Sequence, residues 1–253
     1  DAGWKDQPTV SLNVRHQGEK FVLRGEDDWP IPRTKWTKFY LEPKGQLLAE
    51  TPASKEAAIS YDANGDGLTF VSNPLEEETE FCGPIAAKIW VSSDTRDADI
   101  FLVLRVFSAD LKEVVFHGAL DPHTPVASGW LRASHRRIDT DRSEEWAPFH
   151  SHNVEEPLEP GQVYELDIEI HASGMVIPKG YRFALSIRGR DYVYPGEPDA
   201  GLSNMKNQFT GVGPFLHDDP DNRPAGIFEN NVTVHIGPDR AGYLLLPIIP
   251  PKS

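Results

Sequence analysis

Apolar and polar positions alternate with a period of two along most of this chain. Ile85, Ala87, Ile89 and Val91 fall on one side, and Ala86, Lys88, Trp90 and Ser92 on the other. Tyr164, Leu166, Ile168 and Ile170 alternate with Glu165, Asp167 and Glu169. The same rhythm runs through residues 181–188 and 232–236. Strands give this pattern when one face is buried and the other is wet, because successive side chains point to opposite faces. Residues 99–107 are almost continuously apolar, as expected of a central strand covered on both faces. Shorter candidates are 10–14, 38–41, 59–61, 68–71, 114–118 and 243–246. No segment sustains a 3.6-residue apolar stripe; short helical turns are expected at 54–58 and 129–135. About a dozen strands punctuated by Pro, Gly, Asn and Asp predict an all-β chain folded as a jelly-roll β-sandwich.

Two stretches break the rhythm. Residues 139–159 are rich in Asp, Ser, Glu, Pro and His, and 189–224 carry dense turn signals. Irregular segments of this length face a ligand or a second domain more often than ordinary loops do. Residues 1–50 are expected to be a linker and first strands wrapping the sandwich, and 51–253 the jelly-roll body, one domain overall.

Composition narrows the function classes. The chain has 253 residues, 39% of them hydrophobic, with a net charge of −14. Such a surface repels phosphate backbones and anionic lipid, so neither nucleic acid nor a membrane is an expected partner. Cys82 is the one cysteine. It cannot form an internal disulfide, so the fold does not rely on an oxidising compartment and a cytoplasmic setting is expected. Its place at the mouth of a strand suits a buried filler rather than a nucleophile. The sequence opens at Asp1 without an initiator Met, and the expectation is a fragment of a larger enzyme.

Candidate chemistry is sparse. Asp62, Asn64 and Asp66, followed by Gly67, match the first half of a calcium loop, but Asn73 stands where the closing Glu belongs. Flanking strands make that segment a hairpin tip instead. His150 and His152 lie on one side of an extended segment, and His217, Asp218 and Asp219 offer further polar groups; no zinc spacing is present, so neither metal nor cofactor is expected. Ser134, His135 and Asp139 tempt as a triad, yet adjacent residues in an extended chain point apart, and no Gly-x-Ser-x-Gly elbow occurs anywhere. Trp90 is expected to pack in its strand, with Trp4, Trp29, Trp36, Trp130 and Trp146 in loops or turns. Asn231-Val232-Thr233 fits a glycosylation acceptor but falls inside a predicted strand.

Several segments, in order, resemble one family. They are Gly83-Pro84 with residues 88–93, residues 97–101, Gly129-Trp130-Leu131-Arg132-Ala133-Ser134-His135-Arg136, residues 158–162, residues 178–183 and residues 243–250. Upstream, Trp29-Pro30 with Phe39-Tyr40-Leu41 fits the joining stretch. Together they resemble the C-terminal domain of X-prolyl dipeptidyl-peptidases and the wider CocE/NonD hydrolases. Tyr181 departs from the family, which often carries His there. The resemblance implies a galactose-binding-domain-like jelly roll packed on an upstream α/β-hydrolase domain of the same polypeptide, where the family's catalytic Ser, Asp and His all lie. No catalytic residue therefore maps here, and the chain alone should be inactive. The expected role is to cover the active-site entrance of an esterase or dipeptidyl-peptidase, with His150, His152, His217, Asp218 and Asp219 as substrate-rim candidates. Arg132 and Arg136, near Asp97, Asp99 and Asp139, are expected to pin loops through charge-assisted bonds. A carbohydrate-binding module and a homo-oligomerisation domain are the alternatives.

Overall fold

A computed structural model describes residues 3–196, 199–200, 208–214 and 216–252. The strands are β1 (Val10–His16), β2 (Lys20–Glu26), β3 (Lys35–Glu42), β4 (Leu47–Ala49), β5 (Ala57–Asp62), β6 (Leu68–Ser72), β7 (Thr79–Ser93) and β8 (Asp99–Phe107). They continue as β9 (Glu113–Val114), β10 (Ala127–Arg132), β11 (Tyr164–Ile177), β12 (Arg182–Arg188), β13 (Asp199–Ala200), β14 (Gln208–Phe209), β15 (Asn231–Ile236) and β16 (Tyr243–Ile248). The described helical pieces are α1 (Ala225–Phe228) and 3-10 turns at Trp4–Asp6 and Ala133–His135. Among the described residues no helix is long and apolar enough to cross a membrane.

One sheet folds over on itself in the order β10-β8-β12-β6-β4-β3-β16-β7-β11-β1-β2, with β15 between β5 and β7. The three-residue β4 is the corner, antiparallel to β3 and parallel to β6. To one side lie β6, β12, β8 and β10; to the other lie β3, β16, β7, β15 and β11. Consecutive strands β5 to β8 cross between the two layers, which is the wiring of a jelly-roll sandwich. Phe39 of β3 meets Phe183 of β12 edge-to-face at 4.7 Å across the interior. Ile85, Ile89, Leu102, Leu104, Leu166, Ile168, Leu185 and Val234 share that core.

The fifteen-residue β7 is the spine of its layer. One edge pairs with β11 from Thr79 to Val91; the other takes β16 at Phe81–Lys88 and β15 at Trp90–Ser93. Trp90 is half-buried, with the Lys88 ammonium 5.9 Å from its ring. Cys82 is buried in this strand against Gly174 of β11, and burial pushes its thiol up to about 11. Gly129 closes the fold at the other end. A Cβ there would overlap the Glu169 carbonyl oxygen, so only glycine lets β10 lie this close to β11.

The first fifty residues are part of the same sheet. β1 and β2 form a hairpin that touches β11 at Arg15, opposite Met175. Its base is held by Glu26, whose side chain is 2% exposed, accepts hydrogen bonds from Arg33 at 2.6 and 2.8 Å and forms ion pairs with Arg24 at 2.7 Å and Lys252 at 3.3 Å. Arg24 also reaches Glu80 of β7. A carboxylate so surrounded is satisfied although buried.

Four local expectations are corrected. Residues 54–58 are not a helical turn: β5 begins at Ala57 because its alternating positions pair with β15. Gly129–Arg132 is strand, pairing with β8, and only Ala133–His135 coils. The segment from Asp62 to Gly67 is not a hairpin tip, since β5 pairs with β15 and β6 with β12; it is a crossing between layers. Trp36 and Trp130 stand on strands β3 and β10 rather than in turns.

Hydrogen bonding from Arg33, aided by Lys252 and Arg24 and opposed by burial, holds Glu26 down to about 2 from an ordinary 4.5. A depressed folded value adds stability that is fully present above the unfolded value and is lost as pH falls through the folded one. The stability gap between the parent and Glu26→Gln should therefore be constant above about pH 4.5 and narrow toward pH 2. Urea midpoints across that range check it; a gap that widens on acidification contradicts the assignment.

Candidate functional site

The site grows out of β10. Ala127, Gly129 and Leu131 are buried, so Trp130 between them must point outward, and it is 48% exposed. Because Gly129 draws β10 onto β11, His171 of β11 comes to 5.4 Å from the Trp130 ring, nearly perpendicular to it. His217 approaches from the long loop before α1, with ring centroids 5.0 Å from Trp130 and 5.2 Å from Phe101.

A carboxylate-centred clamp places that loop. Asp99, at the start of β8, accepts from Arg132 at 2.8 and 3.0 Å and from Arg223 at 2.9 Å. Arg223 also donates to the backbone oxygens of His217 and Gly189, each at 2.6 Å, and Arg132 to that of Asn222 at 3.1 Å. Both guanidinium groups lie over the Phe228 ring of α1. Asp191 then fixes His217 itself, accepting its backbone N–H at 2.7 Å and its Nδ1 at 2.9 Å.

Three more histidines gather on the other side of Trp130. His135 ends a 3-10 turn anchored by Asp97, which accepts from the Ser134 N–H at 2.9 Å and its hydroxyl at 2.6 Å. His150 is bridged to Ile138, and His152 has a left-handed φ of 49°. Ring centroids are 5.5 Å apart for His135 and His152, and 5.9 Å for His150 and His152. Burial first, and His152 second, push the His150 imidazole below its ordinary value, with Asp167 opposing them, so the ring is favoured in its neutral form.

Three recesses of about 510, 330 and 400 Å³ open on this face, and Trp130 is a wall of each. His217 lines the first two, Asp219 the second, and His150 and His152 the third. Asp218 lines none of them. Asp219 serves mainly to shape its turn, accepting from the Asp221 N–H and the Asn222 amide. The calcium-like loop is separate: Asp62 caps the Asn64 N–H, while Asp66 faces Arg188 at 3.2 Å and Arg190 at 3.5 Å. Among the described residues no three His, Cys, Asp or Glu side chains are arranged to hold a metal. Ser134 is fully buried on Asp97, so no substrate reaches it. The expected loop-pinning pairs divide: Arg132 takes Asp99, whereas Arg136 donates to the Ala133 and Glu156 carbonyls. Asn231 lies in β15, with its amide on Asp94.

Sequence reasoning named His150, His152, His217 and Asp219, weighed Trp130 only as one of several loop tryptophans, and missed His171, Asp191 and Arg223. The alternation of β10 was the available signal for Trp130, masked by a turn-like Gly-Trp. Nothing local in Gly189-Arg190-Asp191 foretells a partner 26 positions away. Chemically the face offers aromatic surfaces, a fixed imidazole and a recessed floor.

The profile described as the X-Pro dipeptidyl-peptidase C-terminal non-catalytic domain matches residues 2–244. The crystal structure of a CocE/NonD family hydrolase from Staphylococcus aureus is similar in fold, with a TM-score of 0.81 at 24% identity, covering 97% of this chain and 42% of that one. An α-amino-acid ester hydrolase is a more distant structural neighbour, at TM-score 0.56 and 14% identity, covering 90% of this chain and 39% of that one. The cocaine esterase of Rhodococcus sp. is 21% identical, covering 89% of this chain and 40% of that protein. A putative serine esterase of Mycobacterium tuberculosis is 23% identical over 66% of this chain and 30% of its own length. The chain thus spans between 30% and 40% of these curated relatives.

Arg223→Lys keeps the charge but cannot bond Asp99 and two carbonyls together. It should cost about 1–3 kcal/mol and speed amide exchange at residues 216–224 while leaving β7 and β11 protected. Exchange that accelerates everywhere or nowhere would refute the clamp.

Proposed function

The chain belongs to the family of X-Pro dipeptidyl-peptidase C-terminal non-catalytic domains, and from that membership we propose that it packs on an upstream α/β-hydrolase domain of the same polypeptide and narrows the approach to that domain's acyl-transfer centre. The neighbouring domain would supply the serine nucleophile, its base and its oxyanion donors, and would cleave an ester or an amide. This chain would supply the outer wall: aromatic and imidazole side chains that touch the part of the substrate away from the breaking bond and exclude water from it.

The observation that carries the reading is convergence. His150 and His152 come from one long irregular segment and His217 from another, and both border recesses walled by Trp130. Segments that served only to connect strands would not need a shared exposed tryptophan or a half-buried double-arginine clamp to hold them. Loop positions fixed by a rigid sandwich are where binding residues usually sit. The ester-cleaving relatives favour an ester-type acyl group, with a dipeptidyl amide as the competing substrate class.

The test uses the longest polypeptide that carries this chain together with its hydrolase. Replacing His150 and His152 by Ala should change the ratio of kcat/KM values for short-chain against aromatic p-nitrophenyl esters by roughly 3–10-fold, with far-UV circular dichroism unchanged. Identical ratios for parent and variant would remove the access role.

A further inference from the structure

The recess of about 510 Å³ falls in the size range of small-molecule sites. Its walls are mainly carbon: Phe101, Leu102 and Val103 of β8, Leu120, and the Trp130 indole. Asp121 is 2% exposed and fully engaged. Its Oδ1 accepts from the His123 N–H at 2.8 Å, and its Oδ2 from the Gly211 and Gly213 N–H groups at 2.7 and 3.0 Å. That pins the 211–213 rim, so the opening is preformed rather than made by the ligand.

Beside the Ser128 and Tyr192 hydroxyls and the His171 ring, which also line the recess without a hydrogen-bonded side-chain partner, His217 offers a polar atom set between two aromatic rings. The Asp191 carboxylate has only acceptors, so the Nδ1 that bonds it must carry the hydrogen. The neutral ring then has a lone pair on Nε2. Among the described residues Nε2 has no protein partner, and the ring itself lines the recess, wedged between Phe101 and Trp130. Carbon walls with an unspent acceptor held between Phe101 and Trp130 define the complement of their ligand.

We infer that this recess binds a small neutral molecule that places an aromatic or branched hydrocarbon against Trp130 and Phe101 and donates one hydroxyl or amide hydrogen to His217 Nε2. Anions are excluded by Asp191 and Asp121 in the wall and by a chain charge of −14. The inference names a ligand class for the Trp130 face and rests on the access reading for its use in an enzyme, but the binding is a property of this chain alone.

The 253-residue chain is titrated with benzyl alcohol, phenylacetamide, toluene and benzoate, following the tryptophan indole N–H resonances by NMR. The alcohol and the amide should saturate and shift the Trp130 signal, with toluene and benzoate about ten-fold weaker or more. His217→Phe keeps a ring but no acceptor; it should bring benzyl alcohol down to the affinity of toluene and leave toluene unchanged. Trp130→Ala, at an exposed position, should weaken every ligand without loss of fold. Failure to saturate, equal binding of benzyl alcohol and toluene by the parent, or an unchanged benzyl alcohol titration in either variant overturns the site. Saturable, His217-dependent binding together with unchanged ester preference in the His150 and His152 variants would keep this site and dismiss the access role; the opposite pair of results would dismiss this site alone.

Discussion

A missing side chain sets the geometry of the whole face. With no Cβ at Gly129, β10 lies directly against the backbone of β11, and the folded sheet closes on itself there. Alternation along β10 then leaves Trp130 no place but the surface, and the same approach carries His171 beside it. Any larger residue at 129 would push the two strands apart by the width of a methyl group. The layer bearing Asp99 and the layer bearing His171 would no longer share one wall. The recesses thus arise where strand closure meets the loops that cover it.

Two carboxylates, buried Glu26 and half-buried Asp99, play parallel parts in separate regions of the fold. Glu26 gathers Arg24, Arg33 and Lys252, tying the first hairpin to the last residues. Asp99 gathers Arg132 and Arg223, tying the loop before α1 to β8 and β10. In each case a short acidic side chain collects forked donors from distant sequence, and the arginines spend their remaining hydrogens on backbone oxygens or a second acid. An irregular segment cannot bury much apolar surface, so it gains order from directional bonds instead. In each cluster one arginine stands on a strand, Arg24 on β2 and Arg132 on β10, and the other, Arg33 or Arg223, on an irregular segment.

Much of the fold was legible because burial on one face writes itself into a two-residue period. β7, β11, β12 and β15 declared themselves this way, and β8 by its unbroken apolar run. β2 did not, since as an edge strand it leaves Phe21, Val22 and Leu23 exposed and shows no alternation. The crossing at Asp62–Gly67 misled because Asn-Gly and Asp-Gly fit a tight turn whether or not the flanking strands pair with each other. The site was half legible. Histidines in long loops stand out in any sequence, whereas Asp191 and Arg223 acquire meaning only through bonds to residues far along the chain.

Cys82 is the chain's one sulfhydryl, sealed between β7 and Gly174 with its thiol pushed up to about 11. Thiolate is the species that reacts with alkylating reagents and disulfides, so the closed molecule is nearly inert to both. Whatever reaction occurs must pass through a state in which the longest strand pair has parted. The rate of single-site labelling is therefore a native clock for the breathing of the sandwich at its spine, with no engineered probe required.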